Sequence, residues 1–241
     1  MFTKIEPLEH SKHQELRLGK TTSFNFARQI SAVKLSFSEL RHASRYYPII
    51  FLNEAPCLPQ ALLSLEKGEN ACIDETGNWK IPYIPIYFRL YPFTLAKIQE
   101  QEDKFALCLD PGAEHFKAGM GDPLFTADGQ PTEFIREKVL NSLKVYQNEL
   151  ETTQALFKPL EEKELIVDRS VKYTVNQEEK TINGFKGVDM EKLAALDDKS
   201  LADMVRNGTM GLIHEHTHSL ANFNNFLTPP LARQVPKAEQ A

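Results

Sequence analysis

One stretch, from Tyr46 to Phe93, holds nine aromatic residues, including five of the chain's seven tyrosines and its only tryptophan. Aromatic rings bury large areas, and the polar tips of Tyr and Trp seek partners when they do so. The same stretch is cut by Pro48, Pro82, Pro85 and Pro92. Each fixes its φ angle and lacks an N–H, so no long helix or central strand can run through them. A segment this aromatic and this interrupted must be either the heart of the fold or a recognition surface. It identifies no reaction.

The rest of the chain narrows the class. With 241 residues, 41% hydrophobic and 25% charged, it can bury a sizeable core as an ordinary globular protein. A net charge of −5 argues against a nucleic-acid footprint. No window reaches the roughly 18 apolar residues that a membrane span requires. The opening MFTKIEPLEHSKHQELRLGK has no apolar secretory core, which predicts the cytoplasm. Cys57, Cys72 and Cys108 form no CxxC pair, so neither a disulfide framework nor a thiolate zinc site is expected, and all three read as reduced and inert.

The local pattern predicts an α+β fold, β-rich first and helical later. SFNFARQISAVKLSF has β-like stretches; Ser36 and Glu39 then make a capping-box pattern that opens a helix through about Tyr46. Pro48 forces an extended entry to the strand IIFL. ALLSL and NACID read as two more strands about a turn at Lys67-Gly68. Over 83–91, Tyr83, Tyr87 and Tyr91 recur at helical spacing, with Pro82 and Pro85 confined to a first turn. FTLAKIQ and KFALCLD read as a hairpin. A long amphipathic helix is expected over 131–157, then a strand pair. Asp189 and Asp197 or Asp198 cap two short helices, and Thr209 starts a last one to about Phe226. Residues 1–228 read as one domain whose core sets 46–93 against the long helix; 229–241 read as a disordered polar tail.

Two groups of residues offer chemistry. His214-Glu215-His216-Thr217-His218 spells HExxH, which on a helix puts His214 and His218 on one face as zinc ligands, with Glu215 as general base. No HxxGxxH continuation follows, because residues 219–241 hold no glycine, and Glu239 is the only carboxylate there. The bland reading is an amphipathic helix with surface and core histidines. The second group is Arg89 with Tyr83, Tyr87, Tyr91 and Trp79. A guanidinium among rings can clamp an anion or stack, and the structural alternative pairs Arg89 with Asp74 or Asp110. Asp74, Asp110, Asp122 and Asp128 lack the spacing of a calcium loop. GxGxxG, GxxxxGK and GxSxG are all absent.

YPIIF, then GEN and GNW about an acidic turn, then YIPIYFRLYPF and GDPLFTADGQPT, resemble the SapC family of bacterial proteins in order and approximate spacing. The likeness runs from the region of His13 through GFKGVDMEKLAAL to the final helix. It implies an accessory role beside a surface-layer gene cluster, or among halogenase-like flavoproteins, cupin-like proteins and outer-membrane receptors. The peptide-transport permease of the same name is a membrane protein, unlike this chain. The family supplies no catalytic residues to carry over. The expectation is therefore a binding protein with no cofactor, which engages a protein partner, a peptide or a small aromatic or anionic molecule through Arg89 and its neighbouring rings. The alternative is a zinc-dependent hydrolase using His214, Glu215 and His218.

Overall fold

The computed structural model describes residues 1–20, 23–98, 105–116, 121–175 and 178–224. Its first elements are short: β1 (Glu6–Pro7), α1 (His10–His13), β2 (Arg17–Leu18), β3 (Ala32–Lys34) and α2 (Phe37–Ala43). β4 (Ile49–Ile50), β5 (Gln60–Leu62), α3 (Ile86–Leu90), β6 (Phe93–Lys97), β7 (Phe105–Leu109) and β8 (Asp122–Pro123) follow. A π-helical stretch, Phe134–Val139, leads into the long α4 (Leu140–Glu162). The hairpin of β9 (Ile166–Val175) and β10 (Glu178–Val188) precedes α5 (Met190–Ala194), α6 (Asp198–Arg206) and α7 (Thr209–Ser219). The class is α+β, as the sequence predicts.

Among the described residues the strands form four small antiparallel sheets, ordered β1-β7-β6, β3-β5-β4, β2-β8 and β9-β10. Local chemistry explains most boundaries. Ser36 and Glu39 close the capping box that starts α2. Asp189 accepts from the Glu191 and Lys192 N–H groups at the head of α5, and Asp197 accepts from Ser200 at the head of α6. Gly208, at φ 87°, separates α6 from α7 in a conformation that costs other residues a steric penalty. The cap of α7 is thus Gly208 and not Thr209, whose N–H is taken by Asn207 Oδ1 at 2.9 Å.

The structure also departs from expectation elsewhere. NACID is a turn ending in an isolated bridge from Ile73 to Trp79, because Asn70 donates to the Ala27 carbonyl and accepts from the Cys72 N–H, bending the chain there. The helix expected over 83–91 is only Ile86–Leu90, capped by Pro85, so the prolines prevail over the helical spacing of the tyrosines. The long helix starts with a π turn and runs on to Glu162, with Pro159 inside its last turn. The last helix, expected to about Phe226, ends as α7 at Ser219 and passes into a 3-10 turn over Leu220–Asn222, while Phe226 itself and the tail 229–241 lie outside the described residues.

α4 bridges two hydrophobic clusters. Phe157 and Leu160 join Leu35, Tyr47, Phe51 and Phe88 in the larger. Leu143 joins Tyr91, Phe93, Leu109, Leu124 and Ile135 in the other. The larger cluster also takes Val188 from β10 and Ile213 from α7, so the aromatic segment packs against more than the long helix. α2 is docked on α4 by Thr153, whose hydroxyl accepts the Phe37 N–H at 2.7 Å. Cys57, Cys72 and Cys108 are buried and unbridged; burial pushes the Cys57 thiol up to about 11 and that of Cys72 up to about 12. Both stay protonated at neutrality, as expected of structural thiols.

Candidate functional site

The aromatic segment divides its members between scaffold and surface. Trp79 donates its Nε1–H to the Tyr47 hydroxyl at 3.0 Å, and that hydroxyl donates to the Tyr83 carbonyl. The Trp79 ring meets Phe24 at 5.5 Å and Phe88 at 5.1 Å between centroids. Tyr83 donates its own hydroxyl to Glu39 at 2.9 Å. Glu39 is 1% exposed and also accepts the N–H groups of Ser36 and Ile86. Burial raises its carboxyl above the ordinary value, against the pull of those donors. Burial, then the nearby Glu39 charge, likewise raises the Tyr83 phenol. Trp79 and Tyr83 thus hold α2 and the entry to α3 together.

Tyr87, Arg89 and Tyr91 stand elsewhere. A cavity of about 470 Å³ lies along α4 and is lined by Tyr87, Leu90, Phe93, Leu143 and Tyr146, with Val33 from β3. Its polar lining includes Lys34, Glu54 and Gln60; Lys34 pairs with Glu54 at 3.7 Å. A second cavity of about 270 Å³ is lined by Arg89, Tyr91, His115, Phe134, Lys138 and Ser142. Leu90 and Phe93 line both, so the two cavities adjoin as one furrow between α4 and the α3–β6 chain. Trp79 and Tyr83 line neither.

Arg89 is exposed, and its guanidinium carbon lies 6.0 Å from the centre of the Tyr83 ring. Neither carboxylate suggested as its partner takes it. Asp74 is occupied by Thr76 and Asn78 in a tight turn. Asp110 is fully buried and accepts from Thr3 at 2.7 Å, Gly112 at 3.1 Å and the Tyr91 hydroxyl at 3.1 Å. Burial works to raise the Asp110 carboxyl, but these donors outweigh it and hold it below the usual range. Tyr91 is therefore anchored away from Arg89, although both line the smaller cavity.

His214, Glu215 and His218 share a separate depression of about 370 Å³ with Ser44, Arg45 and Asn222. Both histidines are exposed, and Glu215 accepts the Ser44 hydroxyl at 2.5 Å. Among the described residues no group of three or more His, Cys, Asp or Glu side chains is arranged to hold a metal ion. Arg45 adds a cation to the same depression, which disfavours a divalent ion there.

The sequence model of the SapC family matches residues 8–226. The chain belongs to the SapC family. No curated protein and no solved structure matches it. The span that marks this SapC chain takes in both halves of the furrow and the histidine depression alike. No helix among its described residues is long and apolar enough to cross a membrane.

Sequence reasoning missed His115, Phe134 and Lys138 as neighbours of Arg89. They come from a turn after β7 and from the π stretch, and no motif or periodicity links them to residue 89. His216, inside the HExxH spelling, is likewise neither ligand nor surface residue. It is 1% exposed, Nδ1 faces the Ile49 carbonyl at 2.8 Å, and Nε2 accepts the Val188 N–H at 3.1 Å.

Proposed function

We propose that this SapC-family chain is a non-enzymatic accessory protein that binds a partner peptide or a small aromatic, anionic molecule in the furrow along α4. The observation that carries the reading is the shared wall of Leu90 and Phe93, which puts Tyr87 in one cavity and Arg89 in the next. Ligand sites run to roughly 300–1,000 Å³, with mostly apolar walls and a few fixed polar groups. The larger cavity is of that size, and its Tyr87, Leu90, Phe93 and Leu143 supply ring and aliphatic surface. Arg89, exposed and without an ion pair among the described residues, supplies a cation beside it. The surface-layer or halogenase-cluster setting implied by the family resemblance agrees with an accessory role. Calorimetric titration with tryptophan- and tyrosine-containing peptides tests it: the reading expects saturable heat, weakened by Arg89→Lys at unchanged stability. No heat from any peptide sinks the furrow.

The second reading, a zinc hydrolase, rests on the shared depression of His214, Glu215 and His218. Those residues would hold the ion and the attacking water. Elemental analysis of protein purified without a histidine tag separates the two, because stoichiometric zinc that disappears with His214→Ala would favour the hydrolase.

A further inference from the structure

The two halves of the furrow differ in charge. Glu54 lines the larger cavity beside Lys34, whereas Arg89 and Lys138 line the smaller one with no Asp or Glu among its lining residues. Arg89 comes from α3 and Lys138 from the π-helical stretch, and neither forms an ion pair among the described residues. Asp110, reached through Tyr91, is already supplied with donors by Thr3, Gly112 and Tyr91. Two cations of this kind in a concave, mostly apolar setting concentrate an anion.

One residue of the same lining also carries an unsatisfied buried atom. His115 lines the smaller cavity, is 7% exposed, and its Nδ1 has no hydrogen-bond partner. Native proteins rarely leave a buried polar atom unsatisfied, and each exception calls for an explanation such as a functional role or a bound ion or water. The imidazole packs against the stacked pair of Tyr91 and Phe26, at 5.1 Å and 5.7 Å between centroids. The backbone adds a further sign. Phe134, Lys138 and Val139 reach this cavity from π-helical turns, a rare geometry that is frequent at functional sites.

We propose that the smaller cavity is a carboxylate-binding subsite, in which Arg89 and Lys138 supply the charge and His115 a further hydrogen-bonding position. The ligand is then an aromatic or apolar carboxylic acid whose body passes Leu90 and Phe93 into the larger cavity. This rests on the furrow being the binding surface. A guanidinium fork matches the two oxygens of a carboxylate. About 270 Å³ holds such a group, and the adjoining 470 Å³ has room for the ring attached to it. The remaining walls, Leu18, Pro92, Phe93, Phe134 and Val139, suit a singly charged planar head better than a doubly charged one.

The test titrates the full chain calorimetrically with N-acetyltryptophan and, separately, with its uncharged amide. The acid should bind about tenfold more tightly, the usual return on a charge-assisted pair. The double variant Arg89→Gln with Lys138→Gln should abolish that preference, bringing acid affinity to that of the amide; both side chains are exposed, so the fold should survive. The charge-conserving pair Arg89→Lys with Lys138→Arg should keep it. Equal binding of acid and amide by the wild type, or a preference that survives the double Gln variant, overturns the subsite and leaves the furrow standing. No binding of either compound overturns both.

Discussion

The Nδ1 atom of His216 lies 2.8 Å from the Ile49 carbonyl oxygen, while its Nε2 receives the Val188 N–H. With Nε2 accepting, Nδ1 must carry the proton and donate, so the ring is neutral and ties α7 to β4 and β10 at once. Burial, with Arg169 nearby, lowers its pKa to about 4. The unfolded chain protonates the same ring near pH 6.5, so stability falls as pH drops from about 6.5 to about 4, and this loss ends below that. The loss is roughly 3 kcal/mol for this group alone. Melting temperature against pH should show the decline, and His216→Gln should flatten it. An equal slope in the variant would mean that other groups carry the acid sensitivity.

Glu39 is predicted to be costly to remove. Glu39→Ala strips acceptors from the Ile86 N–H at 2.6 Å, the Tyr83 hydroxyl at 2.9 Å and the Ser36 N–H at 3.2 Å. Orphaned buried donors of this kind cost about 1–3 kcal/mol each before relaxation, so a loss of about 3 kcal/mol is expected from denaturant midpoints. Glu39→Gln keeps one acceptor and should lose about half as much. Wild-type stability in the alanine variant would show that water replaces these bonds readily.

Trp79→Ala removes two ring contacts and the hydrogen bond to Tyr47. The ring is half-buried, so about 3 kcal/mol is expected, at the low end for a large aromatic. Melting within a degree of wild type would put Trp79 outside the scaffold and return it to the candidate binding residues.

The legible parts of the fold are those governed by neighbours in sequence. Ser36 with Glu39, Asp189 and Asp197 could be read because a cap satisfies N–H groups two or three residues away. The antiparallel pairs β6–β7 and β9–β10 follow from strand-like runs separated by short polar stretches of sequence. The tyrosine spacing over 83–91 misled because it weighed periodicity above Pro82 and Pro85. NACID misled because its shape depends on Asn70 reaching Ala27, a contact 43 residues away. The furrow fared in the same way: Tyr87, Arg89 and Tyr91 were nameable, but His115 and Lys138 meet Arg89 only through the packing of α4 on the α3–β6 chain.

Arg89→Ala should be nearly silent in stability. An exposed side chain with no ion pair among the described residues typically changes folding by less than about 0.5 kcal/mol, so the melting temperature should move by no more than a degree or two. A drop of several degrees would make Arg89 a structural residue through its contact with Tyr83.

The furrow itself is tested most directly by backbone amide chemical shifts recorded while N-acetyltryptophan is added to labelled protein. The account predicts saturable shifts grouped at residues 30–34, 86–95, 115 and 134–150, the segments that line the two adjoining cavities. Shifts grouped instead around Ser44, Arg45 and 214–222 would move the binding surface to the histidine depression, and an unperturbed spectrum would contradict the account outright.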